Sequence, residues 1–232
     1  MTTRAAALAA ALALALAACG GGDGVVEDDP TLSPTTSDGG DFAVAAAVNL
    51  GLADFPTEWR STPVPAATAD ANVENNRALA DCMGRPRPEE IRTALADSED
   101  FSAPDNRRVT SSVQVVRTEE LARDDFAALR TDQALACHKA QIDAEFARQL
   151  PPEASAQTAI ERLSDFPLFA EETVAYRLVA TTLERGGQVR RVIDLVFLRK
   201  GRVEASVNFL NLNSAFPGDL QRTLLQRMVS RL

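Results

Sequence analysis

The side chains with most chemistry to offer are few. The chain holds three cysteines, Cys19, Cys82 and Cys137, and a single histidine, His138. A thiol beside an imidazole is the pairing used for nucleophilic acyl transfer, because the imidazole draws off the thiol proton. Here His138 adjoins Cys137, so a bond from Cys82 to Cys137 brings the ring close and leaves no thiolate to attack. One histidine is also a poor start for a zinc site, whose other ligands would be carboxylates far apart in sequence. Asp54, Asp97 and Asp100 are scattered through polar segments and read as solvated groups, not as an acid–base pair. Arg107-Arg108 and Arg190-Arg191 read as solvent faces. No Gly-x-Ser-x-Gly elbow, His-Glu-x-x-His helix or phosphate-cradling glycine loop occurs. The sequence thus gives no catalytic set, no cofactor motif and no metal site, and it points away from an enzyme.

The cysteine with the clearest chemistry is Cys19. Leu16-Ala17-Ala18-Cys19 follows the apolar Ala/Leu run 5–18, itself preceded by Arg4. A positive start, a short apolar stretch and small residues before the cut are the parts of a secretory signal. The stretch is too short for a membrane span of about 20 residues. Leu three residues before Cys, with small residues between, fits a bacterial lipobox, so Cys19 is expected to become the acylated first residue of the mature chain. That places the protein at the outer face of the cell membrane, held there by lipid on Cys19. Cys82 and Cys137 are then an even pair in an oxidising compartment, where a disulfide between them is the natural expectation. Two buried thiols are the alternative. A bond would close a loop of about 56 residues and contribute about 4 kcal/mol by chain-entropy arithmetic.

Residues 1–18 are accordingly read as leader, 19–41 as a flexible tether and 42–232 as one globular domain. The tether is rich in Gly, Ser, Thr, Pro and acid, with Asp28-Asp29-Pro30 and Gly39-Gly40, and holds too little apolar area to offset the entropy of ordering. A hydrophobic content of 45% supports a true core in the rest. A net charge of −9 argues against nucleic acid, which demands clustered cations, and against adhesion to anionic lipid by charge.

The elements that must position these residues follow from periodicity. Residues 43–52 suit a short helix or a first strand. Pro56 stops regular structure, and Trp59, the only tryptophan, reads as a core plug. Residues 61–71 read as loop and 72–83 as a helix, with Val73, Leu79, Ala80 and Met83 on one face and Cys82 in the last turn. Gly84 and Pro86 end it. Residues 88–96 are ambiguous, with strand favoured, and 98–108 read as polar loop. Val109–Val116 is β-branched and alternates, Val113 and Val115 against Ser112 and Gln114. Thr118 caps a helix whose apolar face is Ala122, Phe126 and Leu129. Asp132 is expected to cap the next, with Leu135, Ile142, Phe146 and Leu150 as its stripe and His138 on its surface. Pro151-Pro152 stops that helix. The last third reads as a β-meander, strands 157–166, 173–184, 188–199 and 202–212, with turns at Arg185-Gly186-Gly187 and Lys200-Gly201. A closing helix, 219–232, carries Leu220, Leu224, Leu225, Met228, Val229 and Leu232 as a broad apolar stripe for a sheet face. The fold class is α+β: a twisted antiparallel sheet with packed helices, in two layers or as a sandwich.

Certain of these segments carry a resemblance. Asp54-Phe55-Pro56-x-x-Trp59, Cys82 after its helix, Cys137 after Asp132-Gln133-Ala134-Leu135-Ala136, Asp194-Leu195-Val196-Phe197, and residues 209–217 resemble a group of actinobacterial envelope lipoproteins. More distantly they are similar to extracellular sensor domains of actinobacterial serine/threonine kinases. Related chains carry Gly where this one has Glu58. The resemblance implies an α/β sandwich with a disulfide and a cleft, and it implies no particular ligand. The functional expectation is a non-enzymatic lipoprotein that binds a small molecule, a lipid or an envelope protein. An envelope enzyme with an unrecognised site and a structural accessory of a membrane complex are the alternatives. A deep cleft with converging polar groups would favour the binder. A buried carboxylate cluster would favour the enzyme, and a large exposed apolar patch the accessory.

Overall fold

A computed structural model of the chain describes residues 39–150, 155–184 and 187–232. The leader, Cys19, most of the tether, Pro151-Pro152 and the Arg185-Gly186 step lie outside the described residues. The first element is a helix, α1 (Gly39–Val48), so residues 39–41, given to the tether on composition, make its first turn. Asp41 there is gripped by Arg202 (2.9 Å) and by the Thr93 hydroxyl.

Among the described residues eight strands form one antiparallel sheet. They are β1 (Arg60–Thr62), β2 (Arg92–Asp97), β3 (Asp100–Ser102), β4 (Arg108–Val116), β5 (Ser155–Arg162), β6 (Glu172–Glu184), β7 (Gly187–Lys200) and β8 (Val203–Leu212). Their order is β1-β3-β4-β8-β7-β6-β5, with β2 also paired to β4. The meander β6-β7-β8 follows the alternation in its sequence, with Tyr176 opposite Leu195 and Leu195 opposite Asn208. Two short pieces break the expectation of loop: β1 runs into the start of 61–71 and β3 lies within 98–108. Three residues paired at an edge leave no period to read. Residues 88–96 split into a single helical turn, α3 (Pro88–Ile91), started by Pro88, and strand β2.

Helices cover both faces. On one face, α1 and α6 (Gly218–Val229) pack over the odd-numbered residues of β4 and β8, burying Val109, Val113, Val207 and Phe209 beneath Ala45, Leu224, Leu225 and Met228. Each fully buried Leu or Met there stabilises the fold by roughly 2–3 kcal/mol. Trp59 belongs to this core, 3% exposed, against Phe55 and Phe216. Its preceding turn closes without glycine: the Trp59 amide donates to Pro56 O at 3.0 Å, and Glu58 is not among the positive-φ residues.

On the other face lie α2 (Ala66–Met83), α4 (Glu119–Ala128) and α5 (Asp132–Gln149). Helix α2 begins six residues before the expected 72 because Pro65 precedes it, and Gly84, at φ +66°, ends it. The cap of α5 is Thr131, whose hydroxyl accepts from the Ala134 amide at 3.1 Å; Asp132, expected in that role, is the first helical residue. Cys82 and Cys137 are joined as a disulfide that ties the end of α2 to α5 (S–S 2.03 Å, Cα–Cα 5.8 Å). That bond sets which side of α5 faces inward. Ala134, Cys137 and His138 are buried, whereas Leu135, Ile142, Phe146 and Leu150 are only half-buried. His138 is therefore not a surface residue. Among the described residues no helix is long and apolar enough to cross a membrane.

Candidate functional site

The covered face is not apolar throughout. Strands β6 and β7 offer Val174, Tyr176, Leu195 and Phe197, which pack under α4 and α5. Strands β4 and β8 offer Ser112, Gln114, Glu204, Ser206 and Asn208 on the same face, since alternation turns their valines to the opposite core. Helices cannot close down on such a polar floor as they do on an apolar one. A cleft of about 310 Å³ is left, with α2, α4, α5 and β2 as its walls.

Its polar centre joins residues from four elements. Arg85, just after α2, donates from Nη1 to Asp125 Oδ1 on α4 at 2.8 Å. Gln114 on β4 donates from Nε2 to Glu204 Oε2 on β8 at 2.6 Å, between residues directly paired across the strands. The Asp125 carboxylate lies close enough to Glu204 to disfavour a second negative charge there. Two buried carboxyls so placed disfavour a second charge, and a proton held by one of them relieves it. Burial, then the charge of Asp125, pushes Glu204 up to about 8, so the proton sits chiefly there at neutral pH. Burial raises Asp125 as well, against the pull of Arg85. His138 on α5 is pushed down to about 4, by burial and then by the Arg85 charge, and is neutral. Its ring meets Tyr176 edge-on at 5.4 Å between centroids.

Side chains this deep normally have every polar atom paired. Among the described residues four buried side-chain atoms have no hydrogen-bond partner: Trp59 Nε1, and three in the cleft, Arg85 Nε, His138 Nε2 and Glu204 Oε1. His138 is 6% exposed, Glu204 7% and Asp125 8%. Apolar surface faces these atoms from Leu79, Phe126, Leu129, Ile142, Leu195 and Phe197. The arrangement can hold a small molecule by a few directed hydrogen bonds against an apolar wall.

The residues singled out from sequence lie mostly elsewhere. Asp54 pairs with Arg231 at 3.0 Å and Asp100 with Arg108, so neither is a free solvated group, while Asp97 is exposed at the end of β2. Arg107 bonds to Asp105 and sits over Trp59. Cys82 is exposed and Cys137 buried behind the cleft wall, next to His138, which alone of the sequence candidates lines the cleft. Arg85, Asp125, Gln114 and Glu204 were missed. An isolated Glu at the start of a strand face that continues as Ser206 and Asn208 was the available signal for Glu204. Among the described residues no three of His, Cys, Asp and Glu converge to hold a metal ion.

A broader hollow of about 460 Å³ lies at the start of α6, beside Phe166, Arg177 and Arg222. Its Arg177 is held by the fully buried Asp194 through two bonds of 2.7 and 2.9 Å, with Gln221 as a third partner of that carboxylate. Those groups brace the sheet to α6 and point to no ligand.

No protein-family model matches this sequence, and no curated protein sequence matches it. In structure the chain is similar to the extracellular domain of PknH from Mycobacterium tuberculosis, at 9% identity and a TM-score of 0.44, over 82% of this chain and 94% of that one.

Proposed function

We propose that this protein is a lipid-anchored binding module at the outer face of the cell membrane, and that its domain takes a small ligand into the cleft between the sheet and α2, α4 and α5. The observation that carries the reading is the trio of unpartnered buried atoms, Arg85 Nε, His138 Nε2 and Glu204 Oε1, in a cavity of ligand size. Leaving such an atom without a partner costs about 1–3 kcal/mol, and a ligand that pairs with it recovers that cost on binding. The anchor rests on Leu16 to Cys19 and the apolar run before it. In this reading the module is a binder: His138, pushed down to about 4, is a weak base at neutral pH, and among the described residues its Nε2 has no hydrogen-bond partner.

One observation favours a second reading. Asp125 and Glu204 are neighbouring buried carboxyls whose protonation is set apart, as in acid–base sites, so a hydrolytic cleft is the competing proposal.

Native mass spectrometry of the protein purified from its own membranes tests the first reading. The expected result is a non-covalent adduct that is lost on unfolding and on Arg85→Ala, and is returned chemically unchanged after incubation. A bare protein mass refutes ligand binding, and a cleaved ligand favours the enzyme. Separately, Cys19→Ser should move the protein out of the membrane fraction; full retention there refutes the anchor.

A further inference from the structure

The cleft has a charge balance as well as a shape. Arg85 is matched by Asp125 at 2.8 Å. Glu204, raised by burial and by the nearby Asp125 charge, keeps its proton, and His138 is neutral. Gln114, the remaining polar contact of Glu204, is uncharged. Arg92 on β2 is half-exposed and lies near Glu89, whose carboxylate it favours. The other residues facing Glu204 from β7 and α4 within the cleft, Leu195, Phe197, Phe126 and Leu129, are apolar. The buried polar centre therefore carries no net charge, and a charged head group entering it would lose its water without gaining a counter-ion.

What the centre does offer is a donor beside groups able to accept or donate. Arg85 Nε–H can only donate. Glu204 Oε1 and His138 Nε2 each switch role with the placing of one proton. A head group with both an acceptor and a donor answers this set, as an amide or an alcohol does. We infer that the cleft selects, through the Arg85–Asp125–Glu204 cluster, a neutral amphipathic molecule with an amide or alcohol head and a short apolar body, over the matching carboxylate or ammonium ion. The inference rests on the reading of the cleft as a ligand site, and it names the class of ligand.

Hexanamide, hexanoate and hexylamine share one body and differ in head charge. Each is titrated into the purified protein, with its Leu, Ile and Val methyls isotope-labelled so that Leu79, Leu129, Ile142 and Leu195 report on the cleft by NMR. At about pH 6 hexanamide is expected to give saturable shifts at these methyls and to bind at least about tenfold more tightly than either ion, the cost of one unpaired buried group. At about pH 9 Glu204 loses its proton and the centre becomes anionic, so hexylammonium is expected to overtake the amide. In Glu204→Gln the amide preference should hold at both pH values. A preference for either ion at about pH 6, seen at the same methyls, overturns the neutral class and leaves the cleft as a binding site. No saturable shift with any probe overturns both readings. Should Glu204→Gln not fold, the unsubstituted protein decides: an amide preference unchanged at about pH 9 overturns the assignment of selectivity to this cluster.

Discussion

The opposed protonation of Glu204 and His138 gives the protein a pH profile of stability that can be worked out in advance. Folded Glu204 keeps its proton up to about 8, whereas in the unfolded chain it is lost near the ordinary value of 4.5. Folded His138 releases its proton near 4, whereas the unfolded chain holds it to 6.5. Unfolding free energy rises with pH where the unfolded state binds more protons and falls where the folded state binds more. From about pH 4.5 to about 6.5 the folded chain is one proton richer at Glu204 and one poorer at His138, so the slopes cancel. Above about 6.5 His138 is neutral in both states and only Glu204 counts. Stability then falls until about pH 8, by about 1.5 pH units at about 1.4 kcal/mol each, or about 2 kcal/mol. The interaction with the Asp125 charge spreads this step without changing its sign. Carboxylates with lowered values, such as Asp41 held by the Thr93 hydroxyl, act below this window, and Tyr176, pushed up to about 12 by burial, acts above it. Urea unfolding followed by the fluorescence of the buried Trp59 measures the profile. In Glu204→Gln the loss above about 6.5 should vanish, and the His138 slope below it should emerge as a gain of about 3 kcal/mol between about pH 4 and 6.5. Equal stability at about pH 6.5 and 8.5 in the unsubstituted protein, or an unchanged loss in Glu204→Gln, refutes the buried-pair account.

Other outcomes test the frame around the cleft. Reduction of Cys82–Cys137, whose Cys82 end is exposed, should cost about 4 kcal/mol and shift the urea midpoint down; coincident curves with and without dithiothreitol count against a structural role for the bond. Thr131→Ala should cost about 1 kcal/mol and Asp132→Ala clearly less, because the threonine hydroxyl caps α5; the reverse order restores Asp132 as the cap. Asp194→Ala strips Arg177 and Gln221 of their buried acceptor and should cost about 3 kcal/mol. Arg177→Ala made in the Asp194→Ala background should add much less than it does alone, and full additivity in that double-mutant cycle contradicts the pairing.

The long elements were legible because their periods repeat. The meander 172–212, the alternation of β4, the stripe Leu220, Leu224, Leu225 and Met228, and the Gly84 stop all follow from local pattern. The short pieces β1 and β3 were not, because three edge residues hold no period and owe their strand form to a neighbour. The inward side of α5 was misjudged for a related reason. Leu135, Ile142 and Phe146 are its larger apolar residues, but the disulfide at Cys137 turns Ala134 and His138 inward instead.

The same division holds for the site. Sequence alone determined that Ser112 and Gln114 share one face of β4, and Glu204 and Ser206 one face of β8, since a strand's side chains alternate whatever surrounds them; the pairing of the two strands put both on one face of the sheet. It also set which cysteines were available to pair. Only the tertiary structure decided that helices α2, α4 and α5 would cover that polar face. Doing so took Glu204 and His138 out of water and brought Arg85 and Asp125 to Glu204 from 119 and 79 residues away in the chain by no local rule, as the 2.8 Å ion pair across 40 residues between Arg85 and Asp125 illustrates. Protonation depends on burial and neighbouring charge, and both are properties of the packed chain.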